Sequence, residues 1–203
     1  FYRLGVPAAC RLSELRLSAD SRVADLGAKG GWGRYANIGE TPDASDPGAT
    51  IDPAQVIDLS RFMDPDGRLR WTPPKGAWTI LRFGHTATGA RNVSAATAGI
   101  GLECDKFSAA ALDFHFDAYF RELLPALERL GRRQLAGVLI DSYEVGMQNW
   151  TAAMPREFEA RRGYELTKYM PALTGRLVGD PETTERFLWD MRRLQAILME
   201  DLY

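Results

Sequence analysis

The sequence predicts an α/β protein in which a β-rich part precedes a part built from βα units. Short apolar stretches separated by turn residues fill residues 1–90, a pattern typical of β-strands. From about residue 107 the apolar residues recur every three or four positions, as they do on one face of a helix. Short links between the predicted helices indicate a parallel sheet or barrel. We expect the change between the two parts near residues 85–107.

Turn chemistry divides the first 90 residues. In the stretch Asp-Pro-Asp-Gly at 64–67, Pro65 fixes φ and Gly67 tolerates positive φ. A tight hairpin between Phe62 and Leu69 is therefore predicted. Residues 40–53 are rich in Pro, Asp and Gly and predict an exposed loop.

Cap residues define the predicted helices. The first lies between Ser108 and Gly131, with an apolar face of Leu112, Phe116, Phe120, Leu123, Leu127 and Leu130. The second, at about 155–162, begins with Pro155 and ends before Gly163.

Two further elements complete the α/β part. The last helix begins after Asp180, a good N-cap residue, with Pro181 in its first position. The apolar residues 135–141 predict a buried strand, and a short strand is expected around Arg176–Val178.

Composition limits the class of protein. The 203 residues are 45% hydrophobic and 26% charged, with a formal net charge of -2. This interleaved charge argues against a nucleic-acid or anionic-membrane partner. No apolar stretch approaches the roughly 20 residues of a membrane span, and no signal peptide is visible. The sequence does not begin with Met, and the helical pattern at its end stops without a Gly or Pro. We therefore expect an internal piece of a longer protein.

A group of polar and aromatic residues follows the predicted strand 135–141. Asp141, Tyr143 and Glu144 come first, and Gln148, Asn149 and Trp150 follow. In parallel βα architectures, functional groups lie after the carboxyl ends of strands. Carboxylates and amides bond to hydroxyls, and an aromatic face stacks on a sugar ring, so the group suits a polyhydroxylated ligand. The alternative is a turn cap at Asp141 and a solvated acid at Glu144.

A second polar group precedes the first predicted helix. Glu103, Asp105 and Lys106 could hold hydroxyl groups or position a catalytic group. Alternatively, they form a surface ion pair and place acids favourably near a helix N-terminus.

Metal and thiol chemistry stay open. No Cys/His spacing supports zinc, and the many acids allow an oxygen-coordinated cation such as calcium without EF-hand spacing. Cys10 and Cys104 could pair, although two cysteines in such a chain are more often free.

Several polar-aromatic stretches together resemble glycoside hydrolase family 106, the α-L-rhamnosidases, and they occur in the family's order. They are GLECDKFS (101–108), HFDAYF (115–120), DSYEVGMQNWT (141–151), EFEARRGYEL (157–166), YMPALTGRLV (169–178) and ERFLWDMRR (185–193). Residues 57–86 look like the β-rich portion upstream, whereas residues 1–50 match more loosely.

The resemblance implies a large, usually secreted or periplasmic bacterial enzyme that removes terminal α-L-rhamnose from plant or microbial glycans. Its fold would be a (β/α)8 TIM-type barrel with β-sandwich parts. Residues 1–90 would then be the β-rich, sandwich-like segment and residues 91–203 a partial barrel carrying one catalytic carboxylate. Bound calcium is also implied, with unknown ligands.

The resemblance further implies an inverting mechanism with two glutamates. Glu144 best matches the first glutamate and is assigned the general acid, with Glu103 as the runner-up. The second carboxylate is expected beyond Tyr203, so residues 1–203 alone should not hydrolyse rhamnosides. The substrate-binding residues would be Asp141, Tyr143, Gln148, Asn149 and Trp150, with Glu103, Asp105 and Lys106 on a facing loop.

Two other functions stay open. One is a carbohydrate-binding protein without catalysis on the same barrel. The other is a retaining glycosidase, whose carboxyl groups would lie only about 5–5.5 Å apart.

Overall fold

The computed structural model describes residues 21–33, 39–41, 49–92, 95–131, 135–137, 139 and 144–202. Its α-helices are α1 (Leu26–Lys29), α2 (Ala109–Arg129), α3 (Met154–Arg162) and α4 (Pro181–Leu202). Short 3-10 helices lie at Pro53–Gln55, Ser60–Phe62, Thr97–Gly99 and Met170–Thr174. Of the helices described, none combines the length and the apolar character that a bilayer span requires.

The predicted α/β fold, a partial (β/α)8 barrel after a sandwich-like β-rich segment, is wrong. Within the described ranges the regular structure is helical, and neither a strand, a sandwich nor a barrel forms. β pairing there is limited to three isolated bridges, Ile51–Val178 (parallel), Met63–Leu69 and Arg91–Leu102 (both antiparallel). The proposed division at residue 90 stays a prediction.

The physical reason is that apolar patterning shows which residues would be buried if a sheet formed, but not whether the sheet forms. A strand needs a neighbour that takes up its backbone hydrogen bonds, and patterning in one segment does not say where that neighbour lies. Ile80, in the predicted strand region, is 58% exposed, and Leu139 is 89% exposed. Residues 135–137 and 139 form no strand, and residues 138, 140 and 141 lie outside the described part of the chain.

The predicted turn at 64–67 is confirmed in a shorter form. Gly67 has φ 78°, and its backbone N–H donates to Asp64 O at 2.8 Å. Beyond the turn, Arg70 N donates to Phe62 O at 2.8 Å. The chain therefore reverses as predicted, but through a single bridge between Met63 and Leu69.

The predicted ends of α2 and α3 are confirmed. The Ser108 hydroxyl caps α2 by accepting from Ala111 N at 3.4 Å. Gly163 ends α3 in the left-handed conformation, with φ 78°, which favours glycine. Of the apolar face predicted for α2, however, only Phe120 is buried.

α4 is fixed at its start and along one face. Thr183 N donates to Asp180 Oδ1 at 2.6 Å, which confirms the predicted N-cap. The buried side of α4 packs on α3 and on the 3-10 helix Met170–Thr174. Their shared core includes Met154, Phe158, Leu177, Val178, Phe187, Leu188, Met191 and Leu194.

Lys29 ties α1 to α4 from a buried position. Its side chain is 1% exposed, and Nζ donates to Gly39 O at 2.7 Å and Thr41 Oγ1 at 3.1 Å. It also forms an ion pair with Glu185 on α4. These partners compensate the cost of burying an ammonium group.

Candidate active site

Two irregular segments that are distant in sequence meet at the carboxylate of Asp105. The first segment, 101–108, leads into α2, and the second, 144–151, leads into α3. Asp105 Oδ1 accepts from Phe107 N at 2.9 Å within its own segment. Its Oδ2 accepts from the Thr151 hydroxyl at 2.7 Å in the other. Asp105 therefore shapes one segment and holds the second against it.

Gln148 joins the same two segments with both ends of its amide. Its Nε2 donates to Asp105 Oδ1 and to Trp150 O at 3.3 Å. Its Oε1 accepts from Lys106 N at 3.1 Å. Because the carbonyl oxygen and the NH2 group of the Gln148 amide have distinct partners, the orientation of the amide is fixed.

Glu103 and Lys106 form an ion pair beside this junction. The Glu103 side chain is 20% exposed and that of Lys106 is 9% exposed. Lys106 Nζ also lies 3.7 Å from Cys104 Sγ. The backbone N–H of Glu103 donates to Ala90 O at 3.0 Å and fixes the main chain at this residue. The pair is thus a positioned polar group rather than a freely solvated one.

A cavity of about 1330 Å³ opens beside these residues. Five of the predicted substrate-binding residues line it: Glu103, Asp105, Gln148, Asn149 and Trp150. His85 also lines the cavity, and the centroids of the His85 and Trp150 rings lie 6.4 Å apart, with 34° between the ring planes. The cavity therefore offers carboxylate and amide groups beside an aromatic surface.

The remaining predicted residues do not line the cavity or fall outside the described part of the chain. Lys106 contacts the cavity residue Glu103 but is not itself in the lining. Glu144 is exposed and is also absent from the lining. Asp141 and Tyr143 fall outside the described residues. The roles assigned to all nine predicted site residues stay predictions.

Two residues of this region were not predicted as site residues. Thr151, 4% exposed, is the last residue of the DSYEVGMQNWT stretch, but its hydroxyl partner is 46 positions away. His85 follows the apolar stretch 79–83 as a polar aromatic residue. Its position after that stretch is the only sequence signal that could have indicated it.

The described residues do not assemble a metal site. Within the ranges described, no group of three or more His, Cys, Asp or Glu side chains could hold a metal ion. The calcium implied by the family resemblance therefore has no ligand set among them, and its ligands stay unassigned.

Comparisons with known proteins identify a family. A family model for alpha-L-rhamnosidases of glycoside hydrolase family 106 matches residues 7–203. The solved structure of a rhamnosidase from Novosphingobium sp. PP1Y is similar, with a TM-score of 0.73 and 32% identity, and covers 91% of this chain. A Formosa agariphila protein named "Putative beta-glucuronidase" is 45% identical over 155 residues, 76% of this chain.

Both relatives are much longer than the segment they share with this chain. The match covers 18% of the Novosphingobium rhamnosidase chain and 13% of the Formosa protein. The family assignment nevertheless rests on nearly the whole of the present sequence, including both segments that meet at Asp105. This chain belongs to the alpha-L-rhamnosidase family, glycoside hydrolase family 106.

Proposed function

We propose that the complete protein containing this chain is a glycosidase that removes terminal α-L-rhamnosyl residues from plant or microbial glycans. One observation carries the proposal: the family match includes the polar residues and Trp150 that share one cavity. The similarity to a solved rhamnosidase supports it. Secretion or export to the periplasm belongs to the same proposal and is testable by fractionating the producing cell.

The cavity suits a neutral sugar in both chemistry and size. The carboxylates of Glu103 and Asp105 and the amide of Asn149 can bond to sugar hydroxyls. Trp150 offers a flat surface for the apolar C–H groups of the ring. A volume of about 1330 Å³ exceeds the roughly 300–1,000 Å³ of many small-molecule sites. There is room for a sugar and the group attached to it.

The proposed reaction is hydrolysis with inversion. One carboxylic acid protonates the departing oxygen, and a carboxylate roughly 6.5–9.5 Å away activates water on the opposite face. Glu144 is proposed as the acid, and the second glutamate would come from another part of the complete protein. Glu103 is the alternative acid because it lines the cavity whereas Glu144 does not.

Calcium is part of the proposal only through the family. If the complete protein needs calcium, chelation with EGTA should lower rhamnoside hydrolysis, and added calcium, but not magnesium, should restore it. Full activity in EGTA would remove calcium from the proposal.

A second candidate is cleavage of a β-glucuronide, which is favoured by the name of the Formosa relative. A uronic acid needs a cation for its carboxylate. Arg82 and Arg176 line the cavity, whereas Lys106 is already paired with Glu103. An uncharged rhamnose requires no such cation.

The test is a substrate panel with the complete protein. Nitrophenyl α-L-rhamnoside, nitrophenyl β-D-glucuronide and unsubstituted rhamnose are compared, the last by calorimetry. We expect turnover of the rhamnoside only. Turnover of the glucuronide alone would favour the second candidate, and binding of rhamnose without any turnover would indicate a non-catalytic binding protein.

A further inference from the structure

We infer that Thr151, together with Asp105 and Gln148, positions the Glu103–Lys106 pair at the cavity. The side chains of Asp105, Gln148 and Thr151 are called the Asp105 bridge below. This inference rests on the proposed function only for its kinetic consequence, because the geometry itself is independent of the substrate.

The first step is that the Asp105 bridge is the polar connection between the two segments. Asp105 Oδ2 accepts from Thr151 at 2.7 Å, and Asp105 Oδ1 accepts from Gln148 Nε2. A third bond runs from Lys106 N to Gln148 Oε1 at 3.1 Å. Residues 144–151 contain neither a helix nor a strand. These side-chain hydrogen bonds therefore hold the two segments together where no sheet pairing does.

The second step is that Thr151 is anchored to α3, whereas the backbone of Glu103 is bonded to Ala90 O, outside the helical core. Thr151 is 4% exposed and leads directly into α3, because Met154 N donates to Thr151 O at 3.1 Å. α3 in turn packs on α4 in the core. The Thr151 hydroxyl thus links Asp105 to α3.

The third step links Asp105 to the ion pair. Lys106 directly follows Asp105 in the chain, and its backbone is fixed by Gln148. Its side chain reaches back to Glu103 and lies 3.7 Å from Cys104 Sγ. A change in the position of Asp105 therefore moves Glu103, Cys104 and Lys106 together. Thr151 itself is thus a positioning residue and not a catalytic one.

The experiment uses the complete protein and substitutions of Thr151. Thr151→Val keeps the shape of the side chain and removes the hydroxyl, whereas Thr151→Ser keeps the hydroxyl. Thr167→Val is a matched control, because Thr167 lines the same cavity but is not in the Asp105 bridge. Thermal unfolding first establishes that each variant is folded at the assay temperature.

The primary readout does not depend on activity. Cys104 is a free thiol, and the rate at which iodoacetamide alkylates it is followed by peptide mass spectrometry, which separates this cysteine from Cys10. Because Cys104 lies between Glu103 and Asp105, its labelling reports the position of the segment. We expect severalfold faster labelling in Thr151→Val and wild-type rates in Thr151→Ser and Thr167→Val. Unchanged labelling in Thr151→Val, or equal acceleration in Thr151→Ser, would overturn the inference.

The kinetic readout is the division of the effect between KM and kcat for nitrophenyl α-L-rhamnoside. Thr151→Val should raise KM about tenfold, the lower end of what losing one hydrogen bond to a charged group causes, with kcat within about twofold. An unchanged KM would contradict the positioning role. If Thr151→Val does not fold, Asp105→Ala removes the acceptor of the Thr151 hydroxyl and should accelerate Cys104 labelling likewise; wild-type labelling there would overturn the inference. A wild-type protein without rhamnosidase activity would refute the proposed function alone, because labelling still tests the bridge.

Discussion

The hydroxyl of Tyr164 donates a hydrogen bond to Oδ2 of Asp190 at 2.9 Å. It joins the turn after α3 to the middle of α4. Asp190 Oδ1 also lies 3.5 Å from Arg162 Nε. Burial, and then the hydrogen bond to Asp190, raise the pKa of Tyr164 above its ordinary value. The Tyr164 ring packs edge-on against Phe158, with 4.9 Å between the ring centroids. The hydrogen bond to Asp190 therefore lies beside a cluster of aromatic rings.

Tyr164→Phe should lower the free energy of unfolding by about 0.5–1.5 kcal/mol, because it removes this bond but keeps the ring. Chemical denaturation of the complete protein at neutral pH measures it. Tyr169→Phe is the control, since the Tyr169 ring lies in the same cluster and its hydroxyl has no hydrogen bond within the described residues. An equal loss in both variants would contradict this explanation.

Thr184→Val should be destabilising by about 1–3 kcal/mol. Thr184 is fully buried, and its hydroxyl accepts from Val178 N at 2.9 Å. Removing the hydroxyl leaves a buried backbone N–H without that partner. The melting temperature should fall clearly in Thr184→Val and much less in Thr184→Ser. A similar fall in both would indicate that packing of the methyl group, not the hydrogen bond, matters.

Asp180→Asn should reduce stability at neutral pH but not at strongly acidic pH. The backbone N–H of Thr183 and then its side chain lower the pKa of Asp180 below 3.8. The carboxylate thus stabilises the fold at pH values above 3.8, and this contribution is lost as the pH falls through the lower folded-state pKa. We expect the melting-temperature difference between Asp180→Asn and wild type to shrink toward zero as the pH falls through the folded-state pKa of Asp180. A pH-independent difference would contradict the prediction.

Glu144→Gln in the complete protein should lower kcat for an unactivated rhamnoside by about 10²–10⁴-fold, the range of general acid catalysis. Nitrophenyl rhamnoside should lose less, because its leaving group needs little protonation. Glu103→Gln is the matched comparison. If Glu103→Gln shows this substrate-dependent loss and Glu144→Gln does not, Glu103 is the acid.

Local signals predicted the helices well. Ser108, Gly163 and Asp180 act on backbone groups within a few residues, so their effects can be read from a short stretch. Strands depend on distant partners, and the apolar pattern at residues 79–83 contains no information about them. The predictions of a sandwich-like β-rich segment and of a partial barrel both failed for this reason.

The candidate site shows the same contrast. The sequence indicated Asp105 and Gln148 as members of two separate polar groups, and the structure brings them into one hydrogen-bonded junction. Thr151 was missed because its role depends on a partner 46 positions away. Residue type alone can mark polar groups suited to sugars, but it cannot say which of them bond to one another.

Proton NMR of nitrophenyl α-L-rhamnoside during hydrolysis by the complete protein tests the central claim most directly. It detects rhamnose release and the configuration of the first product in one experiment. The proposed inverting rhamnosidase should release β-L-rhamnose first, with the α-anomer appearing later through mutarotation. Initial release of α-L-rhamnose would indicate a retaining mechanism, and no release of rhamnose would contradict the proposed function.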